Sequence, residues 1–191
     1  LIAVFIALLG SFIGLLLSAP IAVAVQNLRL TGGSGDNGGG IFNTVATTAI
    51  SNTQAYSNSA TNGGGGIWNE ASGSITLHAS SVTSNTASSG GGIHSSGAGN
   101  IVSLIGGSHV AHNIATGDGG GIFNIGQSAV TIDDSSVVSN TSGADGGGVV
   151  NWQSGVLTIT NGSRIEDNRA NRGGGVWNGT SSTAAIDQSQ I

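Results

Sequence analysis

The chain has no cysteine, no methionine and no lysine among its 191 residues, and a single proline. Without cysteine there are no disulfides, so whatever holds the fold must be a non-covalent staple. Charged residues make up only 7% of the chain. Its four cations are all arginines, Arg29, Arg164, Arg169 and Arg172, and the net charge is −5. Three of these lie near one another in sequence, but nothing joins them into the basic patch that neutralises phosphates. Nucleic acid is therefore set aside as a partner. Glycine is abundant instead, at 35 residues, where ordinary usage is roughly 7%. That composition fits a disordered Gly/Ser-rich segment, except that β-branched residues recur here at regular places.

Residues 1–19 read LIAVFIALLGSFIGLLLSA, a continuous apolar run stopped by Pro20. Ala22-Val23-Ala24 follows, a small-x-small site of the kind cut on export, with the expected cut after Ala24. Residues 1–24 are thus read as a signal peptide with an apolar helix, lacking its charged start. A retained N-terminal membrane anchor is the rival reading, because about 19 apolar residues nearly span a bilayer. Residues 25–37 then serve as a lead-in or cap.

From residue 38 the chain repeats. Gly-Gly-Gly-(Ile/Val)-x-Asn occurs at 38–43, 64–69, 119–124, 146–151 and 173–178, with a degenerate copy, GGGIHS, at 90–95. The steps are 26, 26, 29, 27 and 27 residues. Between these blocks run two apolar columns, Thr48, Ile75, Val102, Val130, Leu157, Ala184 and Ile50, Leu77, Leu104, Ile132, Ile159, Ile186. Each pair is separated by one residue, the period of a strand. A third block carries Val82, Val110, Val137 and Ile165, each followed three residues later by an asparagine. Three short strand candidates per coil, punctuated by Gly, Asn and Ser, describe a right-handed parallel β-helix. It is all-β, with about six coils of 26–29 residues over 38–191. No helical periodicity competes after the leader. One coil cannot bury its apolar face alone, so stability comes from neighbours.

Asparagine tolerates left-handed backbone and bonds nearby peptide groups. At equivalent positions in a stack, its amides bond to one another and spare buried groups from being unpaired. Two such ladders are expected: Asn43, Asn69, Asn124, Asn151, Asn178 and Asn58, Asn85, Asn113, Asn140, Asn168.

These alternating blocks, for example Gly65-Gly66-Ile67-Trp68-Asn69 with Ser81-Val82-Thr83-Ser84-Asn85, resemble the polymorphic outer membrane protein (Pmp) repeats of autotransporter-like surface proteins. The segment Ser163-Arg164-Ile165-Glu166-Asp167-Asn168 is similar to the second block of that family. The resemblance covers residues 38–191 and implies an exported right-handed parallel β-helix, often an adhesin or passenger at the outer membrane. The chain departs from the family pattern in two ways. A third glycine stands where alanine is usual, and the phenylalanine of the second block is missing.

Enzymes on this fold need clustered carboxylates, in glycosidases a pair about 5–9.5 Å apart. The best charged constellation is Asp118, Asp145 and Arg172, which precede successive glycine blocks and should stack. It is expected to be a solvent-facing turn column in which the arginine offsets the aspartates. The four histidines offer no set of three or four convergent ligands, so neither a metal nor any other cofactor is expected. The residues after the inward Ile/Val, Phe42, Trp68, His94, Phe123, Val150 and Trp177, should form an outward aromatic column. Such a column either packs against neighbouring structure or docks a glycan. An ice-ordering array is met only in part: Ala49, Thr76, Ser103, Thr131, Thr158 and Ala185 suit it, but the neighbouring His78, Ile105, Asp133 and Thr160 do not. The expectation is a non-enzymatic secreted or cell-surface adhesin, passenger or spacer, facing a surface glycan or a host or neighbour-cell protein. The alternative is a polysaccharide lyase, glycoside hydrolase or glycan-binding module on the same fold.

Overall fold

The computed structural model of the chain describes residues 15–18 and 22–191. It is a right-handed parallel β-solenoid of about six turns, in which every strand pairing runs between equivalent positions of successive coils. The coils before the last two contribute to four sheets rather than three. Sheet 1 stacks Leu15–Ser18, Ile41–Thr44, Ile67–Glu70, Ile93–Ser96, Ile122–Ile125, Val149–Trp152 and Val176–Asn178. Sheet 2 stacks Ala22–Gln26, Thr47–Ser51, Ser74–His78, Ile101–Ile105, Ala129–Asp133, Val156–Thr160 and Thr183–Ile186. Sheet 3 stacks Arg29–Thr31, Gln54–Tyr56, Ser81–Thr83, His109–Ala111, Ser136–Val138 and Arg164–Glu166. The fourth sheet is narrow: Ser34–Asn37, Ser59–Gly63, Thr86–Ala87, Ile114–Ala115 and Thr141–Ser142. Three of its five strands have only two residues, too few for the alternation that marks a strand in sequence.

The apolar helix expected in the leader falls largely outside the described residues. Of the expected leader, Leu15–Ser18 pairs in parallel with Ile41–Thr44. Ala22–Gln26 pairs with Thr47–Ser51, and Val25 lies in the core at 4% exposure. Residues 29–31 and 34–37, expected as a lead-in, likewise pair with the next coil.

The core is a set of columns. Ile41, Ile67, Ile93, Ile122 and Val149 wall it from sheet 1, and the two expected columns wall it from sheet 2 as far as Leu157 and Ile159, whereas Ala184 and Ile186 in the last coil are exposed. The column Leu30, Ala55, Val82, Val110, Val137 and Ile165 closes it from sheet 3. Thr48 takes an aliphatic position in sheet 2 because its hydroxyl donates to Asn43 Oδ1 at 2.8 Å.

The glycine triplets are dictated by the stack. Gly119 has φ +67°, a conformation that L side chains avoid. A Cβ on Gly120 would stand 2.5 Å from the Thr141 carbonyl oxygen and 2.6 Å from that of Gly147. A Cβ on Gly121 would stand 2.6 Å from the Gly148 oxygen and 2.9 Å from Val137 Cγ1. The third glycine, where the resembled repeats carry alanine, thus sits where the backbone of the next coil and the sheet 3 valine leave no space for a methyl group.

Candidate functional site

The largest investment of polar chemistry in this molecule lies inside the stack. In the ladder at the end of sheet 3, Asn58, Asn85, Asn113 and Asn140 are buried. Both the backbone N and Nδ2 of Asn85 donate to Asn113 Oδ1, at 2.9 and 3.0 Å. Asn113 does the same to Asn140 Oδ1, and Asn140 to Asn168 Oδ1. Each Nδ2 also donates back to the preceding coil, as Asn113 does to the Val82 carbonyl at 2.9 Å. The side-chain oxygen thus serves a backbone donor that the turn would otherwise strand.

The ladder at the end of sheet 1 is built differently. Asn43 donates to Asn69, Asn124 to Asn151 and Asn151 to Asn178, each at 2.7 Å. These amides also bond carbonyls across the turn; Asn124 Nδ2 reaches Ser128 O at 3.1 Å and Val156 O at 3.3 Å. The series breaks at Ser95, which pairs in register with Asn69 and Asn124. A compensating asparagine enters from the other side of the turn. Asn100 is buried, donating to the Ser96 and Gly97 carbonyls. Coils that carry the ladder asparagine have a small residue opposite: Gly73 opposite Asn69, Gly155 opposite Asn151. A Cβ on Gly73 would stand 2.5 Å from Asn69 Oδ1. Asn69 with Gly73 and Ser95 with Asn100 are therefore alternative fillings of one layer. The exchange is incomplete, because Ser95 Oγ and Asn100 Oδ1 are both buried without a partner.

A third polar ladder runs through the turn into sheet 3. The backbone N of Thr53 donates to Ser80 Oγ, Ser80 N to Ser108 Oγ, Ser108 N to Ser135 Oγ and Ser135 N to Ser163 Oγ, all at 3.1–3.2 Å. Its signal in the sequence is a hydroxyl residue two places before each inward Val or Ile of sheet 3. Serine is so common in this chain that the column is hard to separate from background.

Asp118, Asp145 and Arg172 do come together, but the column is not solvent-facing throughout as expected, because Asp145 is buried beneath the guanidinium of Arg172. Arg172 clamps Asp145 through Nε to Oδ1 at 2.7 Å and NH2 to Oδ2 at 2.6 Å. Asp118 Oδ1 accepts from the backbone N of Asp145 at 3.0 Å. The Asp145 side chain is 10% exposed and that of Arg172 72% exposed. The bidentate clamp raises the Arg172 pKa above its ordinary value, mainly through the hydrogen bonds to Asp145. Both Asp145 oxygens are thus engaged by the guanidinium, and one oxygen of Asp118 by the Asp145 amide.

The aromatic column is in register: Phe42 beside Trp68, Trp68 beside His94, His94 beside Phe123 and Phe123 beside Val150, with Trp177 next. Phe42 and Trp68 stack at 6.5 Å with planes 3° apart, and Trp68 and His94 at 4.0 Å and 18°. His94 meets Phe123 at 5.0 Å, and Trp177 meets Trp152 edge to face at 6.0 Å. Strand alternation points the column away from the core, yet His94, Phe123 and Val150 are buried, and Phe42, Trp68 and Trp177 are half-buried. The arches before the second and third glycine triplets fold over it at Gly63 and Ser89. A Cβ on Gly63 would stand 2.5 Å from His94 Nδ1 and 2.7 Å from Trp68 Cζ3. Ser89 Oγ lies 3.0 Å from His94 Nδ1. Burial pushes the His94 imidazole down to about 4, with the contact to Ser89 acting the other way.

Among the described residues no group of three or more His, Asp and Glu is placed to hold a metal ion. The fold and these ladders define the class of the protein, a parallel β-solenoid stapled by internal amide and hydroxyl columns. Compared with known families, with characterised proteins and with solved structures, the chain finds no match in any of the three.

Proposed function

We propose that this chain is an exported, non-enzymatic rod acting at a cell surface as an adhesin, passenger or spacer. The observation that carries the reading is the closure of the Asp118–Asp145–Arg172 column. It is the best charged constellation in the chain, and both oxygens of Asp145 and one of Asp118 join successive coils. The three ladders use buried polar groups in the same way. Such a molecule gains length and stiffness by adding coils, which suits a spacer or a presented surface. A partner would then meet the outer faces, either as a surface glycan or as a protein of a host or neighbouring cell.

The test has two arms on the full chain. Purified protein is incubated with pectic and alginate-type polyuronates, and product is followed by chain shortening and by absorbance of unsaturated ends. Cells or beads displaying the chain are scored for attachment to glycan-coated surfaces. The proposal expects no turnover, and attachment or separation that scales with the number of coils. Turnover that is lost in the Asp118→Ala, Asp145→Ala double variant would overturn it.

A further inference from the structure

We propose that the outer face of sheet 2 is an ice-binding surface, a reading that rests on the fold and this face alone. Two outward columns run the length of the sheet. One is Ala22, Thr47, Ser74, Ile101, Ala129, Val156 and Thr183; the other is Ala24, Ala49, Thr76, Ser103, Thr131, Thr158 and Ala185. All are exposed or half-buried, while the residues between them from Thr48 to Leu157 are buried. Ile101 and Val156 are 46% and 44% exposed. No charged residue occurs in either column, so the face carries only hydroxyl and methyl groups. Charged groups hold a hydration shell of their own geometry; hydroxyls flanked by methyls accept the geometry of a neighbouring water lattice.

The spacing points to the occupant. Coils repeat at about 4.8 Å, and residues two apart along a strand at about 6.6 Å. These two directions are perpendicular, and hexagonal ice has perpendicular repeats close to both. A second copy of the chain is a poorer occupant. The two columns measure roughly 440 Å² by these spacings, whereas a stable protein interface takes about 800 Å² per partner.

The third column of the sheet contains His78 and Asp133, which would spoil a lattice contact if they projected from it. Neither does. The His78 ring lies over the turn of the next coil, where a Cβ on Gly106 would stand 2.8 Å from His78 Nε2. Asp133 Oδ1 accepts from Thr160 Oγ1 at 3.3 Å and from Asn161 Nδ2 in the following turn. Both are drawn toward the corner, leaving the two inner columns as the flat part.

Ice-affinity partitioning of the full chain, with thermal hysteresis as a second readout, tests this. Native protein should be enriched several-fold in slowly grown ice. Thr131→Tyr, a bulky group at the centre of the face, should fall to the level of an inert globular protein, while Thr131→Ser should keep the enrichment. Thr83→Tyr, outward on sheet 3, controls for folding and should partition as the native chain does. Native protein left in the liquid, or Thr131→Tyr and Thr83→Tyr partitioning alike, would overturn the proposal.

Discussion

Replacing Asn113 with leucine tests the logic of the stack most directly. Its Oδ1 is the acceptor for both the backbone N and the Nδ2 of Asn85. Its own Nδ2 serves Val82 O and Asn140 Oδ1. Leucine fills the space but accepts and donates nothing. The buried N–H of Asn85 is then stranded, at about 1–3 kcal/mol, and three further amide bonds go, at about 1 kcal/mol each or less where a second partner remains. The expected destabilisation is about 3–5 kcal/mol. Asn151→Leu removes the bonds from its own Nδ2 to Gly155 O, Asn178 Oδ1 and Thr183 O. It should nevertheless cost less, about 2–3 kcal/mol, because no backbone N–H is stranded and Asn124 Nδ2 keeps the carbonyls of Ser128 and Val156. Thr131→Ala, on an outer face, should stay within about 0.5 kcal/mol. Urea denaturation gives the ranking, and hydrogen exchange at the Asn85 amide localises it, since that proton should lose protection before its neighbours. Asn113→Leu as mild as Thr131→Ala, or an Asn85 amide protected as before, would refute the claim that these side chains satisfy the turn.

Three further outcomes are expected. The pair Ser95→Asn with Asn100→Gly should restore the sheet 1 ladder and stabilise by about 1–2 kcal/mol. Ser95→Asn alone should destabilise, because Asn100 already occupies that layer; a double-mutant cycle in urea shows the coupling, and additive effects would count against it. The His94 pKa is about 4 in the folded chain and about 6.5 when unfolded, so the unfolded state takes up the proton first as pH falls. Stability should therefore fall from about pH 6.5 to about pH 4, by about 3 kcal/mol in all. His94→Phe should remove that part of the slope, and an unchanged difference in midpoint between pH 7 and pH 4.5 would contradict it. Val45 is exposed and has φ +59°, a conformation that costs a β-branched residue about 1–2 kcal/mol. Val45→Gly should raise the melting midpoint, and a lower one would mean that the side chain is held by contacts.

The 26–29-residue repeat and the alternation within it were enough to determine a parallel stack, because a column of identical positions has only one way to bury itself. The two asparagine ladders were legible for the same reason: asparagine recurs there at the repeat period in five coils each. Other features depend on contacts between segments that no local pattern encodes. Three of the five strands in the fourth sheet have two residues, too short to alternate. The serine ladder hides among ordinary serines, and only the direction of a hydroxyl toward the next coil's amide distinguishes it. Ser95 reads as a decayed asparagine until Asn100 is seen entering the same layer from across the turn. Alternation correctly pointed Phe42, Trp68, His94, Phe123 and Trp177 away from the core, but it has no term for an arch folding over them. Exposure, unlike strand direction, is set by every part of the chain that comes near, and for this column only the tertiary structure decided it.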